Sequence, residues 1–299
     1  MQNNAVNSKL LNWNNTKKTA YEQAINLNTP YEMGNVMRNI LKSLNDYHGS
    51  VFYRDSTFKW PGKVIETTDS MKAEWKKGVK IKTKILTDKI GYLRIPSMST
   101  STKTASDSVA QTLNDSLSTL LKHNIKGIVL DLRLNGGGSM VPMILGVSQL
   151  IQPGKIGSFI DQTNQDWIIK DNQFYFGTEV QAAITPKFMV NAVNIPVVIL
   201  TSPVTGSSAE FFIIAFKGRK NTVLLGSNTA GYTTAVKGIK IDDSSYIYLS
   251  TGYAKDRNGK EYKDDIKADI PLAAVDEFNN ITADSKVNAA IKWLRSHTK

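Results

Sequence analysis

The chain has 299 residues, 41% of them apolar, enough to bury a sizeable core, which excludes a disordered protein. It has no cysteine, which excludes a disulfide framework, a thiolate nucleophile and a cysteine-ligated metal site. A net charge of +11 and a pI near 9.5 put a positive excess on the surface. Such a surface is a lysine-rich solvated shell or a match for an anionic cell-envelope partner. The lysines are scattered and do not interleave with aromatics along one segment, so nucleic acid is not expected.

The N-terminal stretch MQNNAVNSKLLNWNN is polar, and no run approaches the roughly 18 apolar residues that span a bilayer. A helix is expected over residues 17–27. A second begins at Thr29-Pro30-Tyr31-Glu32, where threonine caps, proline fits the first helical position and the glutamate reaches back to the cap. Met33, Val36, Met37, Ile40, Leu41 and Leu44 follow at helical spacing, and the helix runs out at Asn45-Asp46, directly before Tyr47-His48. Residues 1–52 therefore form a small helical unit that delivers His48 on a loop. Residues 53–88 are a lysine-rich bridging segment, with a turn at Pro61-Gly62 and the alternating strand pattern VKIKTKI.

From residue 89 to 299 short apolar strands alternate with helices: GYLRIP, a helix over 107–123, GIVLDL, the loop Asn135-Gly136-Gly137-Gly138, and a helix over 141–151. An irregular insertion, 152–194, comes next; then PVVILTS, the helix SAEFFIIAF and TVLLG resume the pattern. Strands that are continuous apolar runs between helices define an α/β core with a largely parallel sheet flanked by helices.

In such a sheet ligands collect beyond the carboxyl ends of the strands, and two unusual loops fall there. Three successive glycines let bare backbone N–H groups face a ligand, or make a plain flexible turn. No lysine follows them, so the loop is not a P-loop. Ser207 and Ser208 open the helix that closes at Lys217-Gly218. A hydroxyl there is an N-cap, or a nucleophile beside N–H groups that stabilise an oxyanion. An activated serine needs a base. Of the three histidines, His123 lies at the wrong end of a core strand and His297 sits at the terminus, which leaves His48, on a loop beside Asp46.

Four ordered stretches resemble the S41 serine peptidases, the family of the tail-specific, C-terminal processing proteases. Leu44-Asn45-Asp46-Tyr47-His48-Gly49-Ser50 is similar to its D-x-H-S element, with one extra glycine; Ile90 to Pro96 resembles the strand opening its core. Ile128 to Gly138 resembles its hhhDLRxNGGG signature, and Thr201 to Glu210, followed by Gly226 to Gly231, resembles its nucleophile helix and the strand and loop after it. The resemblance implies a ClpP/crotonase-like core and a hydrolase that needs no cofactor or metal. The Ser-Lys branch carries its lysine where this chain has Tyr232, and 53–88 leaves no room for a PDZ module, so the likeness is to the PDZ-less, tricorn-core-like Ser-His branch.

Carried over, Ser207, first of the S-x-[SAG]-E quartet, is the nucleophile, with Ser208 the fallback, and His48 the base. The oxyanion hole comes from the N–H groups of Ser208 and of Gly136 or Gly137. The branch's orienting acid falls in 256–269, where Ala268 replaces the expected proline; Glu261 is the first choice, with Asp256 and Asp265 as alternatives. The expected substrates are extended peptides or protein C-terminal tails. Thr205 to Glu210 also resembles the TASSAE turn of the nisin-resistance subgroup, which clips a lanthipeptide, although a basic protein is poorly matched to a cationic peptide. A non-catalytic ligand-binding module and an esterase on the same fold are the other readings. The family points to an extracytoplasmic place in a bacterium, its tricorn relatives to the cytoplasm.

Overall fold

The computed structural model describes residues 1–161 and 163–298. Position 162 of the 152–194 insertion and residue 299 of the 89–299 core lie outside it. In chain order the elements are α1 (Trp13–Ala24), α2 (Pro30–Ser43), β1 (Ser50–Tyr53), β2 (Ser56–Phe58), α3 (Asp69–Lys76), β3 (Lys82–Ile85), β4 (Ile90–Arg94), α4 (Lys103–Leu121), β5 (Gly127–Asp131) and α5 (Met140–Gly146). There follow β6 (Gly154–Ile160), β7 (Gln165–Lys170), β8 (Gln173–Phe176), β9 (Glu179–Ala183), β10 (Val197–Thr201), α6 (Ser208–Phe216), β11 (Thr222–Gly226), β12 (Thr234–Lys240), β13 (Ser245–Asp256), β14 (Glu261–Tyr262), β15 (Ile270–Pro271) and α7 (Ser285–His297).

The chain divides into two compact units. The larger comprises Ile65–Phe159, Asn164–Thr233 and Ala254–Lys299. Its sheet has the order β15-β11-β10-β5-β4-β3, parallel except for the β3/β4 edge pair. The two-residue period of a strand explains why β5 and β10 are apolar throughout. Ile128, Leu130, Val197 and Ile199 face a core built with α4, α5 and α6, while Val129, Val198 and Leu200 face the one under α7. The 152–194 insertion forms an antiparallel meander, β6 to β9, that buries Trp167 and Phe174 in the first of these cores. The helix expected over 141–151 stops at Gly146 and is followed by a 3-10 turn, Ser148–Leu150.

The smaller unit comprises Met1–Val64, Ile160–Thr163 and Thr234–Tyr253. It is therefore not helical alone: β1 pairs with β2 and with β13, and β12 pairs with β13, all antiparallel. Leu41, Leu44, Val51, Phe58, Ile247 and Leu249 form its core. The first helix runs over Trp13–Ala24 instead of 17–27, because the Asn12 side chain accepts from the Asn15 N–H and caps it earlier. Among the described residues no helix is long and apolar enough to cross a membrane.

Candidate active site

In the larger unit, β10 ends in a turn that is laced to the end of β5. Ser202 Oγ donates to the Arg133 carbonyl at 2.7 Å, Thr205 Oγ1 donates to the Leu132 carbonyl at 3.0 Å, and the Gly206 N–H donates to the Asn135 carbonyl at 3.2 Å. These bonds hold Ser207 at φ 54°, ψ −121°, a conformation that non-glycine residues rarely adopt, at the cap of α6. Ser207 is half-buried, whereas Ser208 is buried with its hydroxyl donating to the Gly138 carbonyl at 2.6 Å. The Ser208 N–H opens the first turn of α6, where helical N–H groups have no intrahelical acceptor.

The glycine loop lies against this turn. A Cβ on Gly137, whose φ is +118°, would sit 2.8 Å from the Ser207 Cβ, 3.0 Å from the Gly206 carbonyl oxygen and 3.2 Å from the Ser208 nitrogen. The loop's own N–H groups have side-chain partners: Gly136 donates to Ser97 Oγ and Gly137 to Asn135 Oδ1, each at 3.0 Å. Asn135 is fully buried and ties the loop back through Nδ2 to the Ile95 and Pro96 carbonyls. Ser207, Ser208, Gly136 and Gly137 thus gather at the carboxyl ends of β5 and β10.

Two buried ionic groups support this arrangement. Glu210 accepts from the N–H groups of Ser207 at 2.8 Å and of Gly231 and Tyr232 at 2.7 Å, and from the Thr229 hydroxyl. Burial pushes its carboxyl up to about 7 against the pull of those four donors. At the end of β5, Arg133, 1% exposed, binds Asp131 at 2.8 Å, Asp276 at 2.7 Å and Asp284 at 2.8 Å, and Lys286 completes the cluster on Asp276. Burial works against the Asp131 charge, but Arg133 and the Tyr92 hydroxyl hold its carboxyl down to about 2.

In the smaller unit, α2 ends in a Schellman motif. Asn45 takes φ 53°, the Asp46 N–H reaches the Leu41 carbonyl and the Asn45 N–H reaches the Lys42 carbonyl, both at 2.9 Å. The chain is thereby turned so that Asp46 is buried and His48 follows half-buried, with its Nδ1 3.0 Å from Thr234 Oγ1. Burial lowers the His48 pKa to about 4, helped by the charge of Lys59 and opposed by Asp46 and a backbone hydrogen bond with Thr234. The imidazole is therefore neutral, and able to accept a proton, at neutral pH.

The three carboxylates expected to include an orienting acid belong to the larger unit and have other partners. Glu261 is exposed; Lys263 and Lys255, at 3.1 and 3.2 Å, hold its carboxyl below the usual range. Asp256 is buried and accepts from the Tyr262 hydroxyl at 2.9 Å and from the Asn258 and Lys260 N–H groups, closing the β13–β14 turn. Asp265 pairs with Lys267 at 2.9 Å. The acid beside His48 is Asp46, two residues before it in the sequence, a signal available from that proximity alone. The buried Glu210 clamp was legible only as the last residue of the S-x-[SAG]-E quartet.

Comparison with known proteins shows the family and the fold. The profile of Peptidase family S41 matches residues 89–272. The chain is 27% identical over 289 residues to the nisin-resistance protein of Lactococcus lactis subsp. lactis, spanning 96% of this chain and 81% of that one. It is 28% identical over 187 residues to the carboxy-terminal processing protease CtpA of Bacillus subtilis (strain 168), covering 61% of this chain and 35% of that one. A lipoprotein from Streptococcus agalactiae has the same fold, with a TM-score of 0.73 at 22% identity over 99% of this chain and 92% of the other. The fold and these matches define a serine-type peptidase acting on peptide or protein substrates. The chain belongs to peptidase family S41.

Proposed function

We propose that Ser207 is the nucleophile and His48 its general base, in an endopeptidase that cleaves extended peptides or protein C-terminal tails. The observation that carries the assignment is the pair of adjacent serines. Ser207 is held at a strained helix cap against bare glycine, whereas the neighbouring hydroxyl of Ser208 is committed to a carbonyl. The absence of a lysine at Tyr232 favours histidine over a Ser-Lys dyad.

In this mechanism His48 Nε2 takes the Ser207 proton as Oγ bonds to the substrate carbonyl carbon. The oxyanion lies at the Ser208 N–H and at the N–H of Gly136 or Gly137, which exchanges its Ser97 or Asn135 partner for the substrate oxygen. The C–N bond breaks, His48 returns the proton to the leaving amine, and water then hydrolyses the acyl-enzyme by the same route in reverse. Glu261, Asp256 and Asp265 keep the partners described above and take no part in this proposal.

A second substrate reading, a lanthipeptide cleaved near its C-terminus, is favoured by the near full-length likeness to a nisin-resistance protein. The net charge of +11 works against attraction of a cationic peptide and favours an anionic envelope surface as the place of action. The names of the relatives, a resistance protein and a lipoprotein, support an extracytoplasmic location.

The test is labelling by a fluorophosphonate probe with peptide mapping. Wild type and Ser208→Ala are expected to label on Ser207, and Ser207→Ala and His48→Ala to fail. Label on position 208, or undiminished label in His48→Ala, rejects the assignment.

A further inference from the structure

The hydrogen-bond chain behind His48 has a direction that its chemistry forces. Asp46, 5% exposed, accepts only. Its Oδ1 receives the Gly49 N–H and the Ser250 hydroxyl, both at 2.7 Å, and its Oδ2 receives the Ser250 N–H at 2.9 Å. A serine hydroxyl has one proton, so with that proton on Asp46 the Ser250 oxygen can only accept from Thr234 Oγ1, 2.9 Å away. The single Thr234 proton is then spent as well. Its oxygen accepts in turn from the remaining neighbour, His48 Nδ1, at 3.0 Å.

We propose that Asp46, acting through Ser250 and Thr234, holds His48 in the Nδ1–H tautomer and so presents Nε2 as the lone-pair nitrogen that takes the nucleophile's proton. The inference rests on His48 being the base. Asp46, Ser250 and Thr234 are positioning residues in it; none touches the reacting atoms, and no proton moves to Asp46. When His48 is protonated, its Nδ1–H stays on Thr234 while the buried carboxylate stabilises the imidazolium, as an aspartate bound directly to the imidazole does in other serine proteases. Here two hydroxyls are interposed.

The placement is built by three elements of one unit. The Schellman turn after α2 buries Asp46, β13 carries Ser250, and β12, which pairs with β13, carries Thr234. With Asp46 and Ser250 buried, solvent does not compete for the carboxylate or for the first hydroxyl. Lys59 is the charged group acting against protonation of His48, and Asp46 the one acting for it. The chain also gives a use to an extra glycine in the D-x-H-S-like stretch: the Gly49 N–H fills the site on Asp46 Oδ1 beside the Ser250 hydroxyl.

The experiment is 15N NMR of the full chain carrying 15N-histidine. With three histidines, the His48→Ala spectrum assigns the resonance. It is combined with fluorophosphonate inactivation, resolving kinact from KI. In wild type His48 is expected to show a protonated Nδ1 and an unprotonated Nε2 near neutral pH. Thr234→Val, which keeps the β-branched shape of a strand residue, is expected to give a mixed tautomer and a kinact about 10- to 100-fold lower at unchanged KI, part of the roughly 10²- to 10⁴-fold that a positioned base contributes. Thr234→Ser should restore both, and Asp46→Asn should resemble Thr234→Val. An Nε2–H tautomer in wild type, or unaltered tautomer and kinact in Thr234→Val while His48→Ala is inactive, overturns this inference alone. Full activity in His48→Ala overturns the base assignment and the inference with it.

Discussion

A methyl group added at position 137 has no room, and the residue it would strike is the proposed nucleophile. Gly137→Ala places a Cβ 2.8 Å from the Ser207 Cβ, so reaching an ordinary 3.4 Å contact means opening the gap between the glycine loop and the serine turn by 0.6 Å. The same substitution puts alanine at φ +118°, a conformation that costs about 1–3 kcal/mol. Since a displacement of about 1 Å at a reacting group can cost on the order of 100-fold, fluorophosphonate labelling of Gly137→Ala should slow by about 10- to 100-fold. The strain should also lower Tm by roughly 5 °C. Gly136→Ala is the internal comparison: it keeps the N–H, and its methyl would meet nothing closer than the Val204 carbonyl oxygen at 3.8 Å. Its effect on rate should be at least about tenfold smaller than that of Gly137→Ala. Equal rates for the two variants would refute the view that the glycine loop is there to let backbone approach Ser207.

The Arg133 cluster should be costly to break. Arg133→Met leaves Asp131, Asp276 and Asp284 buried without their common partner, and urea melts should show a loss of about 3–5 kcal/mol; a loss below about 1 kcal/mol would mean the cluster does not anchor the end of β5. The low pKa of His48 predicts that labelling persists on acidification until about pH 4, and a half-point near 6.5 would contradict it. In stability the same group works the other way from Glu210. The unfolded chain binds the extra His48 proton between pH 4 and 6.5, so this contribution, about 3 kcal/mol, is gained as pH rises through that window. Glu210 binds its proton more tightly when folded, so its contribution is lost as pH rises from 4.5 to 7. The unfolding free energy of Glu210→Gln relative to wild type should therefore shift in the variant's favour by about 3 kcal/mol across that range, whereas a pH-independent difference would show that Glu210 does not titrate there.

Much of the core was legible because its signals are local. A helix cap such as Thr29 acts within three residues, and the apolar runs of β5 and β10 follow from burial on both faces. The NGGG and GSSAE stretches declare a turn with room for close approach, since only glycine takes φ +118° without strain and serine suits a cap. Less was legible where pairing is distant. The helical stripe of α2 predicted an N-terminal helical unit, but no local pattern shows that β12 and β13 return to it from about 200 residues further on. The insertion looked irregular because bulges interrupt the two-residue alternation in its strands, between Lys155 and Gly157 and between Phe174 and Tyr175.

The sequence by itself determined the family and offered the residues that its chemistry could use: a serine at a helix cap, a glycine loop at the end of a buried strand, a histidine on a loop, no cysteine, and Tyr232 where the Ser-Lys branch carries its lysine. Only the tertiary structure shows which partners surround each candidate acid. Glu261, Asp256 and Asp265 were chosen by their order along the chain, yet each is satisfied by its own turn or by lysines. Asp46 reaches His48 through Ser250 and Thr234, and the contacts that make this possible span 204 and 186 residues. A hydrogen bond is decided by a few tenths of an ångström in space, and residues that distant in sequence meet only after strands have paired and the chain has closed on its core.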